Sequence, residues 1–309
     1  MDKFVIIADV SCDLNKDIRN KYDLEYLPGH ITLPTGEDVL STLDWESITR
    51  DSFYSQLKNK KKTFTTSPAS IEETKIKFKE FLDKGIDVIY IALSHALSGS
   101  YNFALQAKKE LEKSYPDRKI EVIDSLRYST SLGLIAIYAS LYKKEGHDFD
   151  STVKYINSLK TKVHQMGPMD DLFFLSRKGR ITNAKAFFGT LIGIKPLGDF
   201  DPEGRTTILT KAKGKEQAIN FTVEYIKKTI VNPENQILCI SHTDRKENAE
   251  LILNRIKKEI KVKEIILVEC SPSSAINIGP GLAACFFLGN DISKDMEVEK
   301  TIMNEVINA

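Results

Sequence analysis

Two short segments of the chain concentrate hydroxyl and glycine residues where a helical pattern begins. They read FTTSPASIEE and LSHALSGSY, and their uncharged donors are Thr65, Thr66, Ser67, Ser94, Ser98 and Ser100, with Gly99 beside them. Hydroxyls donate hydrogen bonds, and glycine lets a backbone approach a ligand closely. A phosphate usually calls for Lys, Arg or a glycine-rich loop, whereas a single carboxylate is held by two or three charge-assisted hydrogen bonds. The donor set therefore favours a carboxylate ligand.

Helix capping explains part of each segment. Ser70 before IEE is predicted to be an N-cap, with Glu73 at the capping-box position. Ser98 is equally explained as a cap of the helix that starts at Tyr101. Capping does not require three hydroxyls before Pro68, so the two interpretations of these segments stay open.

Ser98 is also a candidate for a catalytic nucleophile. The letters HALSG resemble the end of a GxSxG elbow, but glycine is absent where His95 or Ala96 stands. A serine hydrolase also needs a base and an orienting acid, and the sequence context nominates none of the five histidines. A hydrolase of a small ester or lipid is therefore the second hypothesis.

Asp9, Ser11 and Asp13 in DVSCDL have residue types that could bind a metal. A polar lining after the first strand is the preferred interpretation, with Asp13 as the N-cap of the first helix. The four cysteines are scattered, without a CxxC pair or a histidine at metal-ligand spacing, so neither a zinc site nor a disulfide scaffold is expected.

These residues must be positioned by the elements around them. Apolar runs predict strands at FVIIAD, DVIYIAL and KIEVID, and helical spacing predicts helices between them. This alternation indicates a parallel sheet covered on both faces. A further helix is expected at about residues 151–165, followed by a mixed region with a hairpin turn at DPEG. We predict an α/β fold, with a doubly wound parallel-sheet domain at residues 1–165 and a C-terminal α/β (α+β) domain at residues 166–309.

Composition restricts the function classes. The 309 residues carry 44 Lys plus Arg against 43 Asp plus Glu, a formal net charge of +1, so nucleic acid is not expected as a partner. The first apolar run is too short for a signal peptide, and no stretch approaches a membrane span of about 20 apolar residues. The expected location is the cytoplasm.

Two later segments have both a structural and a functional interpretation. The segment FFLSRKGRITNAKAFFG is either a solvated basic turn or a docking surface for an acidic partner, formed by Arg177, Lys178, Arg180, Lys185, Phe187 and Phe188. In NIGPGLAACFF the glycines around Pro280 predict an unusual backbone conformation at a helix start. Structural and ligand-facing roles are equally supported there.

Taken in order, several of these motifs resemble the DegV family. They are ADVSCDL, TTSPAS, LSHALSGSY, VIDSLRYSTSLG, LFFLSRKGRI, GIKPLG, SHTD and GPGLAACFF, which span nearly the whole chain. The resemblance implies a two-domain α/β fold, with carboxylate-binding loops in the first domain and an acyl chain covered by the second. It also implies one buried long-chain fatty acid, no other cofactor, and a separate ATP-dependent fatty acid kinase that converts the carboxylate to an acyl-phosphate.

The resemblance assigns roles to individual residues. Thr66 and Ser98 would bind the carboxylate, Arg180 would dock the kinase, and Asn277 replaces the histidine that the family usually has before GPG. An amide donates a hydrogen bond but cannot carry a proton at neutral pH. The other expected ligand-binding positions are Thr65, Ser67 and Gly99, and the other docking positions are Arg177 and Lys178.

Three functions remain open at this point. The favoured one is a non-catalytic fatty acid carrier that presents its ligand to a kinase, with transient membrane contact allowed. The others are the serine hydrolase and a lipid sensor without a kinase partner. Acyl chain length, unsaturation and oligomeric state are not encoded in any motif.

Overall fold

The computed structural model describes residues 3–59, 61–170, 172–177, 179–181 and 193–309. The strands within this part of the chain are β1 (Phe4–Asp9), β2 (Glu25–Leu27), β3 (Gly29–Thr32), β4 (Asp38–Ser41), β5 (Thr65–Ser67), β6 (Asp87–Ala92), β7 (Ile120–Asp124), β8 (Val163–Met166), β9 (Ile194–Phe200), β10 (Thr206–Lys213), β11 (Ile237–His242), β12 (Glu264–Glu269) and β13 (Ala283–Leu288). The α-helices are α1 (Lys16–Tyr22), α2 (Arg50–Leu57), α3 (Ile71–Leu82), α4 (Ser100–Ser114), α5 (Thr130–Lys144), α6 (Phe149–Leu159), α7 (Phe173–Arg177), α8 (Gly214–Thr229), α9 (Lys246–Glu259), α10 (Pro272–Ile278) and α11 (Glu297–Asn308).

The N-terminal half contains the predicted parallel sheet. Its strand order is β2-β1-β6-β7, and every pairing is parallel. Strands β1 and β6 are buried along their whole length. Their nearly continuous apolar runs are typical of parallel strands covered on both faces. The predicted α/β fold class is confirmed.

A small antiparallel sheet was not predicted. Its order is β4-β3-β5, and β5 pairs His30 with Ser67 and Ile31 with Thr66. The segment TTS therefore lies in a short strand and not in a turn. These strands are three or four residues long, so they have too few residues to form a recognisable alternation.

The C-terminal sheet is mixed. Its order is β12-β11-β13-β8, with β11 parallel to β12 and antiparallel to β13. The predicted hairpin is present as β9 and β10, connected by a turn around Gly204.

The predicted helix at residues 151–165 is wrong at its end, because α6 stops at Leu159 and β8 pairs with β13. Since β8 belongs to the second sheet, the predicted domain boundary at 165/166 would divide it. The boundary itself stays a prediction.

Helix α5 lies between the two four-stranded sheets. It contacts β1 on one side and β8, β11 and β13 on the other. Its sequence TSLGLIAIYASLYKK is buried over almost its whole length, as expected of a helix that is apolar all round. Residues of both sheets, such as Ile6 and Phe286, share one hydrophobic cluster with Leu134 of this helix. At Gly133 a side chain would overlap the carbonyl of Cys12, so glycine is needed for this close approach.

Asp13 does not cap the first helix, contrary to the sequence prediction. The N-cap of α1 is Asn15, whose side chain accepts from the N–H of Ile18. Asp13 instead has a left-handed backbone (φ 58°) and a buried carboxylate. Its Oδ1 accepts from the N–H of Ser271 at 2.9 Å and from the hydroxyl of Ser271 at 2.7 Å, and its Oδ2 accepts from the hydroxyl of Ser129 at 2.5 Å. Burial raises the pKa of Asp13 above its ordinary value.

The glycines around Pro280 also differ from their prediction. They follow α10 and precede β13, so they end a helix and do not start one. Gly279 has φ 87° and Gly281 has φ 114°, conformations that disfavour other residues. A side chain at Gly279 would overlap the ring of Phe174 in α7. These two glycines therefore have a packing role.

The contacts of Asp13 predict the stability of two variants. Asp13→Ala leaves buried groups of Ser129 and Ser271 unpartnered and should lower the free energy of unfolding by about 3 kcal/mol. Asp13→Asn keeps an acceptor for Ser271 and supplies a donor for the hydroxyl of Ser129, so it should retain most of the stability. Denaturant unfolding of the three proteins measures the difference.

The pH dependence of stability gives a second comparison of wild type with Asp13→Asn. The pKa of Asp13 is higher in the folded state than in the unfolded state, where it is about 3.9. Between these two pKa values the folded protein keeps a proton that the unfolded chain has lost. The free energy of unfolding therefore falls as the pH rises through this window. Asp13→Asn has no titrating group at this position, so its free energy of unfolding does not show this fall. Wild type should therefore gain stability relative to Asp13→Asn as pH is lowered from 7. A constant difference between the two proteins would contradict this account of Asp13.

Candidate functional site

A cavity of about 380 Å³ lies beyond the carboxyl ends of β1 and β6. This is the position at which open α/β sheets bind ligands, and the volume falls within the usual range for small-molecule pockets. The first sheet contributes the residues after β1 and the segment 95–100 after β6. Strand β5 and helix α10 close the cavity with Thr66 and Asn277.

Thr66 and Asn277 are in direct contact although they are far apart in the chain. The side-chain amide of Asn277 donates from Nδ2 to Thr66 Oγ1 at 3.0 Å and to the carbonyl oxygen of Ser273 at 2.9 Å. The second contact fixes the orientation of the amide, because only its nitrogen can donate to a carbonyl. Asn277 Oδ1 is buried and has no hydrogen-bond partner among the described residues.

Ser98 and Gly99 line the same cavity at the start of α4. Gly99 is the N-cap of α4 and contributes no side-chain cap. The hydroxyl of Ser98 accepts from the N–H of Ser100 at 3.2 Å and lies 3.0 Å from Ser100 Oγ. The hydroxyl of Ser98 therefore caps one N–H at the start of α4. Because Ser98 also lines the cavity, it is in a position to contact a ligand.

The segment FTTSPASIEE contributes some of its hydroxyl residues to the cavity and one to the cap of α3. Ser67 lines the cavity, whereas Thr65 is exposed and is not among the lining residues. Ser70 is the N-cap of α3 and forms the predicted capping box with Glu73. The structure thus brings Thr66, Ser67, Ser98, Gly99 and Asn277 to one cavity and leaves Thr65 outside it.

Arg180 was expected on a docking surface, but it lines the cavity. Its Nη2 donates to the carbonyl oxygen of Leu97 at 3.1 Å, and burial lowers the pKa of its guanidinium. The sequence analysis identified only uncharged donors for the head-group site, and Arg180 adds a charged donor that it did not place there. Arg177 is exposed, with its guanidinium 5.6 Å from the centre of the Phe174 ring. The remaining residues of the predicted docking surface, Lys178, Lys185, Phe187 and Phe188, lie outside the described residues.

The cavity also contains a buried carboxylate. Oδ1 of Asp9 accepts from the N–H of Ser11 at 2.9 Å and from its hydroxyl at 2.8 Å, and Oδ2 accepts from the hydroxyl of Tyr90 at 3.0 Å. The sequence identified Asp9 and Ser11 as polar lining but missed Tyr90, which lies within an apolar strand. Apolar side chains complete the wall, among them Val10, Leu27, Leu93, Leu97, Leu175 and Ile278.

His95 and Asp124 form a pair that the sequence did not identify. Nδ1 of His95 lies 2.6 Å from Asp124 Oδ2, and the main-chain N–H of His95 donates to Asp124 Oδ1 at 3.2 Å. His95 lines the cavity that Ser98 also lines. The side-chain contacts recorded for Ser98 are nevertheless with Ser100. Asp124 ends β7 and His95 follows β6, and the parallel pairing of these two strands brings the side chains together.

The described part of the chain contains no group of three or more His, Cys, Asp or Glu side chains placed to hold a metal ion. None of the helices in it combines the length and the apolar character that crossing a membrane requires.

Comparison with known proteins places the chain in a family. It is 33% identical over 290 residues to a DegV domain-containing protein of Clostridium perfringens, an alignment that covers 94% of this chain and 99% of that protein. A DegV family protein from Thermus thermophilus, described for its fatty acid binding, superposes with a TM-score of 0.83 at 22% identity, covering 93% of this chain and 99% of that chain.

The Streptococcus pneumoniae fatty acid kinase B3 protein, loaded with linoleic acid, superposes with a TM-score of 0.80 at 18% identity, covering 93% of this chain and 100% of that chain. At these identities the two superpositions establish the fold. The family model described as "uncharacterised protein, DegV family" matches residues 3–290. The ordered motifs, the fold and this match agree, and the chain belongs to the DegV family.

Proposed function

We propose that the protein binds one long-chain fatty acid in the cavity and presents its carboxyl group to a separate ATP-dependent fatty acid kinase. The observation that carries the proposal is the convergence of Thr66, Ser98 and Asn277 on one cavity that also has an apolar wall. Such a combination suits an amphiphile with a small polar head. The Thermus and Streptococcus relatives, which bind fatty acids according to their descriptions, support the same ligand class.

The two ends of the ligand contribute differently. Burial of apolar surface is worth about 0.8 kcal/mol per CH₂, so an acyl chain of about sixteen carbons would contribute on the order of 10 kcal/mol before entropy costs. A hydrogen bond to the head contributes about 1 kcal/mol. The chain therefore supplies affinity, and the hydroxyl and amide groups supply orientation. No other cofactor is part of the proposal.

The partner is a kinase subunit, and the protein itself acts as a carrier without catalytic activity. In this proposal Arg177, Arg180 and Lys178 contact the kinase. Arg180 has a second role because it lines the cavity, so it connects the ligand head to the docking surface. The protein would work in the cytoplasm, where ATP is available, with transient membrane contact when ligand is exchanged.

Removal of the head-group donors should weaken ligand retention. The double variant Thr66→Ala, Ser98→Ala loses two hydrogen-bond donors and should bind a long-chain fatty acid about thirty-fold more weakly. Its thermal stability after purification should fall because less ligand is bound. Mass spectrometry of copurified lipid and a thermal melt measure both effects.

Thr65→Ala is the matched control for this experiment. Thr65 is adjacent to Thr66 but exposed and outside the cavity, so this variant should keep its lipid content. Unchanged lipid in the double variant would count against the assignment of the head-group site.

The kinase step has a separate prediction. Arg177→Ala should reduce acyl-phosphate formation by about ten-fold in the presence of kinase and ATP, because a charged docking contact is lost. Its lipid content should stay unchanged, since Arg177 does not line the cavity. Arg180→Ala should reduce both quantities. If no acyl-phosphate forms with wild type, the lipid-sensor hypothesis replaces the kinase role.

The hydrolase alternative has a direct test. His95 and Asp124 resemble the base and orienting acid of a hydrolase, but the described hydroxyl contacts of Ser98 are with Ser100. We therefore expect that a fluorophosphonate probe does not label the delipidated protein. Labelling that disappears in Ser98→Ala would support a hydrolase instead of a carrier.

A further inference from the structure

The segment SHTD (residues 241–244) forms a fixed loop at the carboxyl end of β11. The hydroxyl of Thr243 donates to the carbonyl oxygen of Gly279 at 2.7 Å and accepts from the N–H of Leu282 at 2.9 Å. Main-chain hydrogen bonds join the same two stretches of chain. Asp244 comes next, with φ 54°, a conformation that Asp and Asn adopt more readily than most residues. Its carboxylate therefore projects from a well-anchored position in the C-terminal half.

Asp244 contacts both ends of helix α2. At the start of the helix, Arg50 Nη2 donates to Asp244 Oδ1 at 2.8 Å, and just after its end Lys58 Nζ lies 2.5 Å from Asp244 Oδ2. Arg50 Nε also donates to both carboxylate oxygens of Glu269, at 2.8 and 2.7 Å. The side chains of Asp244 and Glu269 are only 19% and 20% exposed, so water and salt screen these pairs less than fully exposed ones. One carboxylate thus holds α2 against the C-terminal sheet at both ends.

Helix α2 packs behind the strand that carries Thr66. The ring of Phe53 in α2 lies 5.3 Å from the ring of Phe64, and both side chains are buried in one cluster. Phe64 directly precedes β5 (Thr65–Ser67). Strand β5 lies at the edge of its sheet, where it is paired with β3 on one side. Because so short an edge strand has few hydrogen bonds of its own, the position of Thr66 depends on what packs against Phe64.

Asn277, the other member of the head-group pair, is positioned by a different carboxylate. It belongs to α10, and Ser271 immediately before that helix is held by Asp13. The amide of Asn277 donates to Thr66 at 3.0 Å, so this contact joins two separately anchored elements. Asp13 sets the side that contains α10, and Asp244, through α2, sets the side that contains β5.

We propose that Asp244 is a positioning residue for the ligand head. By holding α2 at both ends, it keeps Phe53 against Phe64 and thereby places Thr66 where its hydroxyl contacts the carboxyl group. This inference rests on the proposed fatty acid site and adds to it a residue that does not line the cavity. Release of α2 lowers the fraction of molecules with Thr66 in place, and the apparent affinity falls with that fraction. The loss is limited to that of removing one hydrogen bond, about five-fold.

The test measures equilibrium binding of hexadecanoic acid, delivered from cyclodextrin to the delipidated full-length protein. Asp244→Asn suits the left-handed backbone and removes the charge, so it should bind about five-fold more weakly than wild type. The double variant Arg50→Gln, Lys58→Gln removes the same contacts from the helix side and should show the same loss. A thermal melt of each unliganded protein shows whether it is folded.

Glu259→Gln is the matched control. Glu259 is 23% exposed and also contacts two cations, with Arg255 Nε at 2.8 Å and Lys227 Nζ at 3.4 Å. It ends α9 and is not among the described residues that line the cavity. This variant should bind hexadecanoic acid as wild type does. A five-fold loss in Glu259→Gln would show that removing any such ion pair weakens binding, which contradicts a specific role of Asp244.

The Thr66→Ala background separates positioning from a general effect on the fold. If Asp244 acts through Thr66, Asp244→Asn should weaken binding by less than about two-fold in this background, whereas independent effects would multiply. Multiplying losses overturn the inference, and so does wild-type affinity in either folded variant, Asp244→Asn or Arg50→Gln, Lys58→Gln. These outcomes leave the fatty acid site intact. Failure of wild type itself to bind hexadecanoic acid overturns the proposed function and the inference together.

Discussion

The burial of helix α5 is the constraint on which the rest of the structure depends. An apolar helix without a polar face must be covered on all sides, and here the parallel sheet covers one side and the mixed sheet covers the other. Both halves of the chain therefore share one hydrophobic cluster. Gly133 sets how closely α5 approaches the turn after β1. The position of α5 consequently fixes its N-cap residue, Ser129, which contributes to the lining of the cavity.

A short series of polar contacts extends from this helix to the ligand site. Ser129 donates to Asp13, and Asp13 accepts from Ser271 immediately before α10. Helix α10 then places Asn277 against Thr66. Since the carboxylate of Asp13 is buried, its ionisation costs free energy, and the hydrogen bonds around it offset part of that cost. A structural carboxylate thus determines where an amide of the binding site lies.

The cavity combines uncharged donors with a small number of charged groups. Asp9 is held by Ser11 and Tyr90, and Arg180 is held by the carbonyl of Leu97. Tertiary structure alone placed Arg180 inside the cavity, since its segment is distant in sequence from the hydroxyl residues. The pairing of His95 with Asp124 has the same origin, because adjacent parallel strands bring their carboxyl ends together. Spacing in one sequence does not reveal which strands are neighbours.

The sequence by itself determined the parallel sheet, the capping box of α3 and the hairpin, because apolar periodicity and capping act over a few neighbouring positions. It did not determine the short sheet that contains Thr66, the end of α6 or the role of Asp13. These features depend on partners up to 258 positions away in the chain. Tertiary structure alone decided that the amide of Asn277 donates to Thr66, because the two residues are 211 positions apart and local sequence does not specify which strand lies beside α10.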